Sequence, residues 1–377
     1  MIQLVADTRL PDEPIMPGVS WDYGTDLHWL KIMKEKWVKD FDWKTVEARM
    51  NAFSHFRVPI EGINLHFIHQ RSTRADAVPL ILTHGWPGSF WEFHRIIEPL
   101  TNPPAGEPAF HVVVPSVPGF GFSSAPPKAG WTMKDNARIF NHLMTGVLGY
   151  ESYMAQGGDI GSLVTIILAT DAYPACKLIN LNAMQGPPTL GAMLTLPFFL
   201  LPTTLRQWLY SKIYTEDELR DFGRSFQAAK SGMAYFLQQA TRPATIGYAL
   251  YDSPVGLLAW MGDKFRDLFD PQLFESHAED ILISVSLYYL TRTFPTSTLP
   301  YSQNTKLFKE QFKFNIPYGL SRFPYDVFMN PVSWLKSANP TMSFVRRHEK
   351  GGHFPALEVP ELLVGDLREM VATHKVF

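Results

Sequence analysis

An aspartate lies between glycines in the segment Gly157-Gly158-Asp159-Ile160-Gly161, just after the apolar run that ends at Ala155. In a nucleophile elbow the chain turns sharply from a buried strand into a helix, so small residues flank an exposed central side chain. A carboxylate there can open a strained ring or displace a halide, and the aspartyl ester that forms can still be cleaved at its own carbonyl. The alternative interpretation is a turn whose aspartate caps a helix predicted from Ile160 to about Ala169.

A second segment could supply an oxyanion hole for such an ester. His84-Gly85-Trp86-Pro87-Gly88 directly follows the strand predicted at Leu80 to Thr83. A glycine-containing turn in that position can direct the backbone N–H of Trp86 at the top of the nucleophile strand, where it would act together with the N–H of Ile160. The alternative is an ordinary loop between a strand and a helix.

The predicted base is His353, in the segment Gly351-Gly352-His353-Phe354-Pro355. The chain has 12 histidines, so the presence of one proves little. His353 differs from the others because it follows the last predicted strand, and the chain order aspartate, acid, histidine is that of an α/β-hydrolase triad. His84 is the closest rival, but it precedes the oxyanion turn and is expected to hold that loop by a hydrogen bond.

Two further kinds of side chain complete the predicted chemistry. Asp326, in Phe323-Pro324-Tyr325-Asp326, lies on the loop before the histidine's strand and could orient the imidazole. Glu349 is the rival acid, but it shares a short loop with His353, so the two side chains have little reason to converge. Ring opening also leaves an alkoxide, which the phenols of Tyr235 and Tyr301 could protonate. The alternative is that both tyrosines are ordinary core residues.

Composition excludes several classes of protein. The 377 residues carry 34 Lys plus Arg against 36 Asp plus Glu without long runs of one sign, so neither nucleic acid nor an anionic membrane is an expected partner. The single Cys176 excludes an intramolecular disulfide. The start, Met1 to Pro17, carries acids and prolines, and the apolar stretch Leu190 to Leu201 is interrupted by Pro197. We therefore expect no membrane anchor and a cytoplasmic location.

The periodicity of the apolar residues predicts an α/β fold in three parts. Amphipathic helical patterns before residue 60 suggest an N-terminal helical extension, residues 1–60. Short apolar runs then predict buried, mostly parallel strands in a core of residues 61–184 and 306–377. Residues 185–305 lack a convincing strand and predict an inserted helical cap. The predicted strands begin at Ile63 and lie at Val78 to Thr83, His111 to Val114, Tyr153 to Gln156, Lys177 to Leu181, Phe312 to Pro317 and Thr341 to Arg346.

Taken together, these segments resemble the microsomal-type epoxide hydrolases, a branch of the α/β-hydrolase fold with an N-terminal extension. The resemblance extends over most of the chain. It is carried by Trp21-Asp22-Tyr23-Gly24-Thr25-Asp26, by His84-Gly85-Trp86-Pro87-Gly88-Ser89, by Val117-Pro118-Gly119-Phe120-Gly121-Phe122-Ser123, by Gly157-Gly158-Asp159-Ile160-Gly161, by Thr241-Arg242-Pro243-Ala244-Thr245-Ile246-Gly247 and by Gly351-Gly352-His353-Phe354-Pro355-Ala356-Leu357-Glu358.

The resemblance implies a role for each candidate residue. It places the nucleophile at Asp159, the base at His353 and the acid at Asp326, and it places the two tyrosines that activate the epoxide at Tyr235 and Tyr301. Tyr288 and Tyr289 are the alternatives for the second tyrosine, because the register around residue 301 is loose. We expect this member to lack the hydrophobic N-terminal anchor of membrane-bound relatives and to resemble the soluble bacterial and fungal members.

The predicted activity is hydrolysis of a small lipophilic epoxide to a vicinal diol, with no metal and no organic cofactor. A haloalkane dehalogenase is the first alternative, but it would need a halide-binding tryptophan after the nucleophile, where this chain has Ile160. A non-catalytic binding protein for hydrophobic ligands is the second, and it predicts a broken triad. The sequence leaves open the identity and stereochemistry of the epoxide and whether the chain forms a homodimer.

Overall fold

The computed structural model describes residues 1–184, 201–327 and 329–377. Their strands form one eight-stranded sheet in the order β1-β2-β4-β3-β5-β6-β7-β8. The strands are β1 His55–Ile60, β2 Ile63–Gln70, β3 Val78–Thr83, β4 Phe110–Pro115, β5 Tyr153–Gly157, β6 Cys176–Leu181, β7 Tyr318–Arg322 and β8 Met342–Arg347.

The sheet is parallel from β4 to β8, and β2 pairs antiparallel with both β1 and β4. Every residue of β5 and of β7 is buried, because helices cover both faces of the sheet. This architecture confirms the predicted α/β-hydrolase fold. Since the carboxyl ends of parallel strands meet at one edge, the loops after β3, β5, β6, β7 and β8 are brought together there.

Two strands differ from the sequence prediction. The strand predicted at Phe312 to Pro317 is wrong, because β7 begins at Tyr318. The sequence of β7 does not look like a buried strand, because it contains the charged residue Arg322. Arg322 is nevertheless buried, and its guanidinium lies 2.9 Å from the carboxylate of Asp221, which is also buried. The second difference is β1, which the sequence analysis does not predict. This strand contains Pro59, and a proline is tolerated there because β1 lies at the edge of the sheet.

The N-terminal helices form where the amphipathic patterns predicted them. The carboxylate of Asp26 accepts a hydrogen bond from the N–H of Trp29 and so caps the helix Leu27–Lys39. Asp42 caps the helix Trp43–Met50 in the same way. The first of these helices buries Trp37, whose indole N–H donates to the hydroxyl of Ser286, 3.2 Å away. The extension is therefore fastened to a helix that follows β6.

Apart from the short helix Ile2–Asp7 at the start of the chain, the other α-helices of the described residues fall into three groups. Between β3 and β6 lie His94–Thr101, Met133–His142 and Asp159–Leu168. Between β6 and β7 lie Thr203–Ser211, Glu216–Gln227, Ala234–Thr241, Pro243–Ala249, Pro254–Leu268, Ala278–Thr291, Phe294–Ser297 and Leu299–Gln303. After β7 lie Val332–Ala338, Pro355–Glu358 and Pro360–His374.

The division into extension, core and cap stays a prediction. The predicted start of the cap at residue 185, and the apolar stretch up to residue 200, lie outside the described residues. Among the helices of the described residues, none combines the length and the apolar character that crossing a membrane requires.

Candidate active site

The turn after β5 has the geometry of a nucleophile elbow. Asp159 has a positive φ of 48°, which is uncommon for a residue other than glycine. It is the first residue of the helix Asp159–Leu168. A Cβ on Gly161 would lie only 2.0 Å from the carbonyl oxygen of Thr83 in β3. Glycine is therefore required where the helix crosses so close to the neighbouring strand.

The carboxylate of Asp159 contacts the loop after β3. The backbone N–H of Trp86 donates to Oδ1 of Asp159 over 2.8 Å, across 73 positions of the chain. A Cβ on Gly85 would lie 2.2 Å from the same oxygen. The N–H of Ile160 lies in the first turn of the helix, where backbone donors have no carbonyl partner within the helix. The N–H of Trp86 thus contacts the carboxylate directly, and the N–H of Ile160 belongs to the next residue of the chain.

His84 holds the Trp86 loop, as expected for the rival histidine. Its Nδ1 lies 3.0 Å from the carbonyl oxygen of Gly85, and its Nε2 accepts the N–H of Val117 over 3.1 Å. Burial lowers the pKa of His84 to about 4, so the ring is neutral at pH 7 and can accept that hydrogen bond.

His353 lies between two carboxylates. Its Nδ1 is 2.8 Å from Oδ1 of Asp326, and its Nε2 is 3.4 Å from Oδ2 of Asp159. Because a carboxylate is an acceptor, Nδ1 carries the proton that orients the ring. Burial opposes a positive charge on His353, but the attraction of Asp326 and Asp159 outweighs burial and raises its pKa well above the ordinary value. The rival acid Glu349 is an exposed residue on the same loop.

The loop that carries His353 is fastened to the end of the helix Pro254–Leu268. The N–H of His353 donates to the carbonyl of Leu268 over 2.9 Å, and the N–H of Gly351 donates to the carboxylate of Asp270 over 2.9 Å. Glu358 then accepts the N–H groups of both Asp270 and Phe354, at 2.7 and 2.9 Å. Sequence reasoning missed Asp270, because no local pattern shows which loop lies across from it.

Tyr235 and Tyr301 lie side by side next to the oxyanion loop. Their ring centroids are 5.9 Å apart, and the ring of Tyr235 stacks on Trp86 with a centroid distance of 5.2 Å. Burial, together with the negative charge of Asp159, raises the pKa of both phenols above 10, so both hydroxyls stay protonated and can donate.

The two alternative tyrosines have other partners. The hydroxyl of Tyr288 donates to the carbonyl of Gly88 over 2.6 Å, and that of Tyr289 donates to Asp252 over 2.9 Å. Tyr301 is therefore the better placed second phenol.

A cavity of about 640 Å³ opens onto these groups. Asp159, Tyr235 and Tyr301 all line it, and much of the remaining wall is apolar, including Leu163, Phe236 and Phe308. An apolar cavity with a few convergent polar groups is typical of a site for a small lipophilic ligand. The arrangement can bind such a ligand with its polar atom at the tyrosines and an adjoining carbon at Asp159.

Replacing Gly161 by alanine should destabilise the protein strongly. The new methyl group would overlap the backbone of β3, which cannot move without disturbing the sheet, so we expect the free energy of unfolding to fall by about 3 kcal/mol. Urea denaturation measures this. Gly223, in the helix Glu216–Gln227, has open space at the same position, so Gly223→Ala is the matched control and should raise stability by up to about 1 kcal/mol. Equal stability of the two variants would contradict the tight crossing.

The mostly parallel sheet, with an aspartate elbow after β5, defines an α/β hydrolase. Comparison with protein families agrees, since residues 78–231 match the family described as alpha/beta hydrolase fold. Residues 1–93 match a second family, described as epoxide hydrolase N terminus.

Relatives that match nearly the whole of this chain show to which family of α/β hydrolases it belongs. Epoxide hydrolase 1 of Sus scrofa is 36% identical over 380 residues, which cover 95% of this chain and 83% of that protein. The solved structure of Aspergillus niger epoxide hydrolase is 37% identical with a TM-score of 0.85, over 99% of this chain and 92% of that chain. The juvenile hormone epoxide hydrolase of the silkworm Bombyx mori is 28% identical with a TM-score of 0.86, over 99% and 91%. The chain belongs to the epoxide hydrolase family, which confirms the resemblance seen in the sequence.

Proposed function

We propose that this enzyme hydrolyses small lipophilic epoxides in two steps through an ester on Asp159. The observation that carries the proposal is the position of the Asp159 carboxylate, which lies 2.8 Å from the N–H of Trp86 and 3.4 Å from the ring of His353. The same carboxylate lines an apolar cavity together with two phenols that are protonated at neutral pH. These are the groups that formation and hydrolysis of an ester require.

The first step forms the ester. Oδ2 of Asp159, the oxygen that Trp86 does not contact, attacks one carbon of the epoxide, and the bond from that carbon to the ring oxygen breaks. Tyr235 and Tyr301 donate hydrogen bonds to the oxygen as its negative charge develops, and one phenol transfers its proton to it. The products of this step are a hydroxyalkyl ester and a phenolate.

Ester formation also prepares the base. In the free enzyme the charges of Asp326 and Asp159 together hold a proton on His353. Alkylation neutralises Asp159, so one of the two charges is lost and the pKa of His353 falls. His353 then loses one proton and the phenolate gains one, so the net charge of the site is unchanged. The base becomes neutral only after there is an ester to hydrolyse.

The second step hydrolyses the ester. Neutral His353, oriented by Asp326, takes a proton from water as the water oxygen attacks Cγ of Asp159. The tetrahedral oxyanion is stabilised by the N–H groups of Trp86 and Ile160. When the intermediate collapses, the diol leaves with the proton of the new carboxylic acid, and His353 stays protonated as at the start.

A variant that lacks the base should separate the two steps. In His353→Gln we expect the ester to form and to persist, because alkylation needs no base whereas hydrolysis should slow by about 10³-fold. Mass spectrometry of a proteolytic digest after mixing with excess styrene oxide should show the adduct on the peptide that contains Asp159. His28→Gln, a change at an exposed histidine of the N-terminal extension, is the control and should turn over normally. An unmodified Asp159 peptide in His353→Gln would contradict the mechanism.

The location and assembly of the enzyme belong to the same proposal. Near-zero net charge and a single cysteine favour a cytoplasmic enzyme, and a homodimer is the simplest assembly to test. Cell fractionation and light scattering of the purified protein measure the two properties.

A further inference from the structure

A buried acid lies behind the candidate site without a role in the two steps above. Glu92, in the short helix Phe90–Phe93, is only 8% exposed. Within the described residues its Oε2 is buried and has no hydrogen-bond partner. A buried polar atom of this kind needs an explanation, because leaving it unsatisfied costs about 1–3 kcal/mol.

Glu92 belongs to the same loop system as the nucleophile's oxyanion donor. Its Oε2 would lie 2.2 Å from a Cβ on Gly88, just as the carboxylate of Asp159 would lie 2.2 Å from a Cβ on Gly85. The two glycines thus make room for two carboxyl groups on one short turn. The charges of His353 and Asp159 both act on the pKa of Glu92, in keeping with its place on the same turn as Gly85, which adjoins the Asp159 carboxylate.

The hydrolytic step needs a water that no residue described so far holds in place. A buried water makes about three hydrogen bonds. Nε2 of His353 supplies one acceptor, and the attacking oxygen must keep a lone pair directed at Cγ of Asp159. The second hydrogen of the water therefore needs another acceptor on the side of the base.

We propose that Glu92 is a further catalytic residue, which binds the hydrolytic water through its unsatisfied carboxyl oxygen and directs it at the Asp159 ester. The inference rests on the two-step mechanism proposed above. One O–H bond of the water breaks as His353 takes that proton, and a bond forms between the water oxygen and Cγ of Asp159. The second proton stays on the oxygen, hydrogen-bonded to Glu92, so Glu92 itself exchanges no proton.

The protonation state of Glu92 gives the proposal a pH signature. Burial raises the pKa of Glu92 to about 8, with the positive charge of His353 acting against burial and the charges of Asp159 and Glu358 adding to it. Tyr288 also faces Glu92 but stays neutral, because burial raises its pKa well above 10. Glu92 is therefore neutral at pH 7 and ionised at pH 9. In the ester His353 and Asp159 are both uncharged, and burial, the largest cause, still keeps the pKa of Glu92 raised. Because an ionised Glu92 would repel the tetrahedral oxyanion, hydrolysis should slow at alkaline pH, above about 8.

Two variants of similar volume test the inference. Glu92→Leu removes the acceptor, whereas Glu92→Gln keeps a carbonyl oxygen but cannot ionise. With enzyme in excess over styrene oxide, rapid quench followed by mass spectrometry gives the rates of ester formation and ester decay separately. We expect Glu92→Leu to form the ester at the normal rate and to hydrolyse it about 10²-fold more slowly. Glu92→Gln should hydrolyse it at close to the normal rate at pH 7 and should lose the decline above pH 8.

The results for the two Glu92 variants can each overturn the proposed role of Glu92. Normal hydrolysis in Glu92→Leu, or an equal loss in both steps, would overturn the role of Glu92, because a merely structural residue would not act on one step alone. If Glu92→Leu does not fold, the pH profile of Glu92→Gln is sufficient, and an unchanged alkaline decline would overturn the inference. Glu98→Gln, at an exposed position on the following helix, is the control. Failure of the wild type to form an ester would instead refute the proposed mechanism itself.

Discussion

Replacing Asp159 by asparagine should abolish turnover, with a loss of about 10⁴-fold or more. Asparagine tolerates the positive φ of this position and keeps an oxygen for the N–H of Trp86. The fold should therefore survive, whereas an amide oxygen is too weak a nucleophile to open the ring. Diol formation under saturating styrene oxide, with circular dichroism to compare the folds, measures the effect.

The control for Asp159→Asn is the same substitution at an aspartate outside the candidate active site. Asp12→Asn, at an exposed position of the N-terminal extension, should leave the rate of diol formation unchanged. Wild-type activity in a freshly purified Asp159→Asn protein, whose mass confirms that the amide is intact, would eliminate Asp159 as the nucleophile.

Removing both phenolic hydroxyls should make ester formation nearly undetectable. Each single variant, Tyr235→Phe or Tyr301→Phe, should slow alkylation by about 10²-fold, the low end for a positioned proton donor. Because the hydroxyls act on one oxygen, the effects of the two changes should not be additive. The ring packing around Trp86 is retained in all three variants, so the loss reports on the hydroxyls. Single-turnover measurement of ester formation gives the rate.

The tyrosine variants also make a negative prediction. Hydrolysis of an ester that has already formed should change little, because the former ring oxygen is by then a neutral hydroxyl. Tyr289→Phe, at the alternative tyrosine whose hydroxyl donates to Asp252, is the matched control and should alkylate normally. Rapid ester formation in the double variant would show that other groups activate the epoxide.

The sequence predicted the sheet well where local patterns determine structure. Continuous apolar runs such as Val78 to Thr83 can satisfy their packing only when buried between helices, so β3 and its parallel neighbours could be placed to within about two residues. The elbow was visible for a similar reason, because close crossing of β3 at Gly161 leaves room for no other residue. Strand order and chain order together then brought the candidate site residues to one edge.

Features that depend on distant partners could not be predicted. β7 was displaced in the prediction because Arg322 looks like a surface residue until Asp221, 101 positions earlier, is seen beside it. The same holds for Asp270, whose N–H reaches Glu358 across 88 positions. Glu92 gave no signal in the sequence, since a glutamate in a loop is ordinarily exposed. Only the glycine at position 88 marks the space that its carboxyl occupies.

The attachment of the His353 loop to residues 268–270 limits how modular this enzyme is. Exchanging the helical segment between β6 and β7 for that of a relative would transfer the substrate cavity, but it would also remove Leu268 and Asp270 from beneath the base. A chimera therefore inherits a working histidine only if those two positions and Glu358 are exchanged as a set. The C-terminal boundary of the exchanged segment is therefore better placed before residue 268 than at the start of β7, so that residues 268–270 stay with the His353 loop they contact.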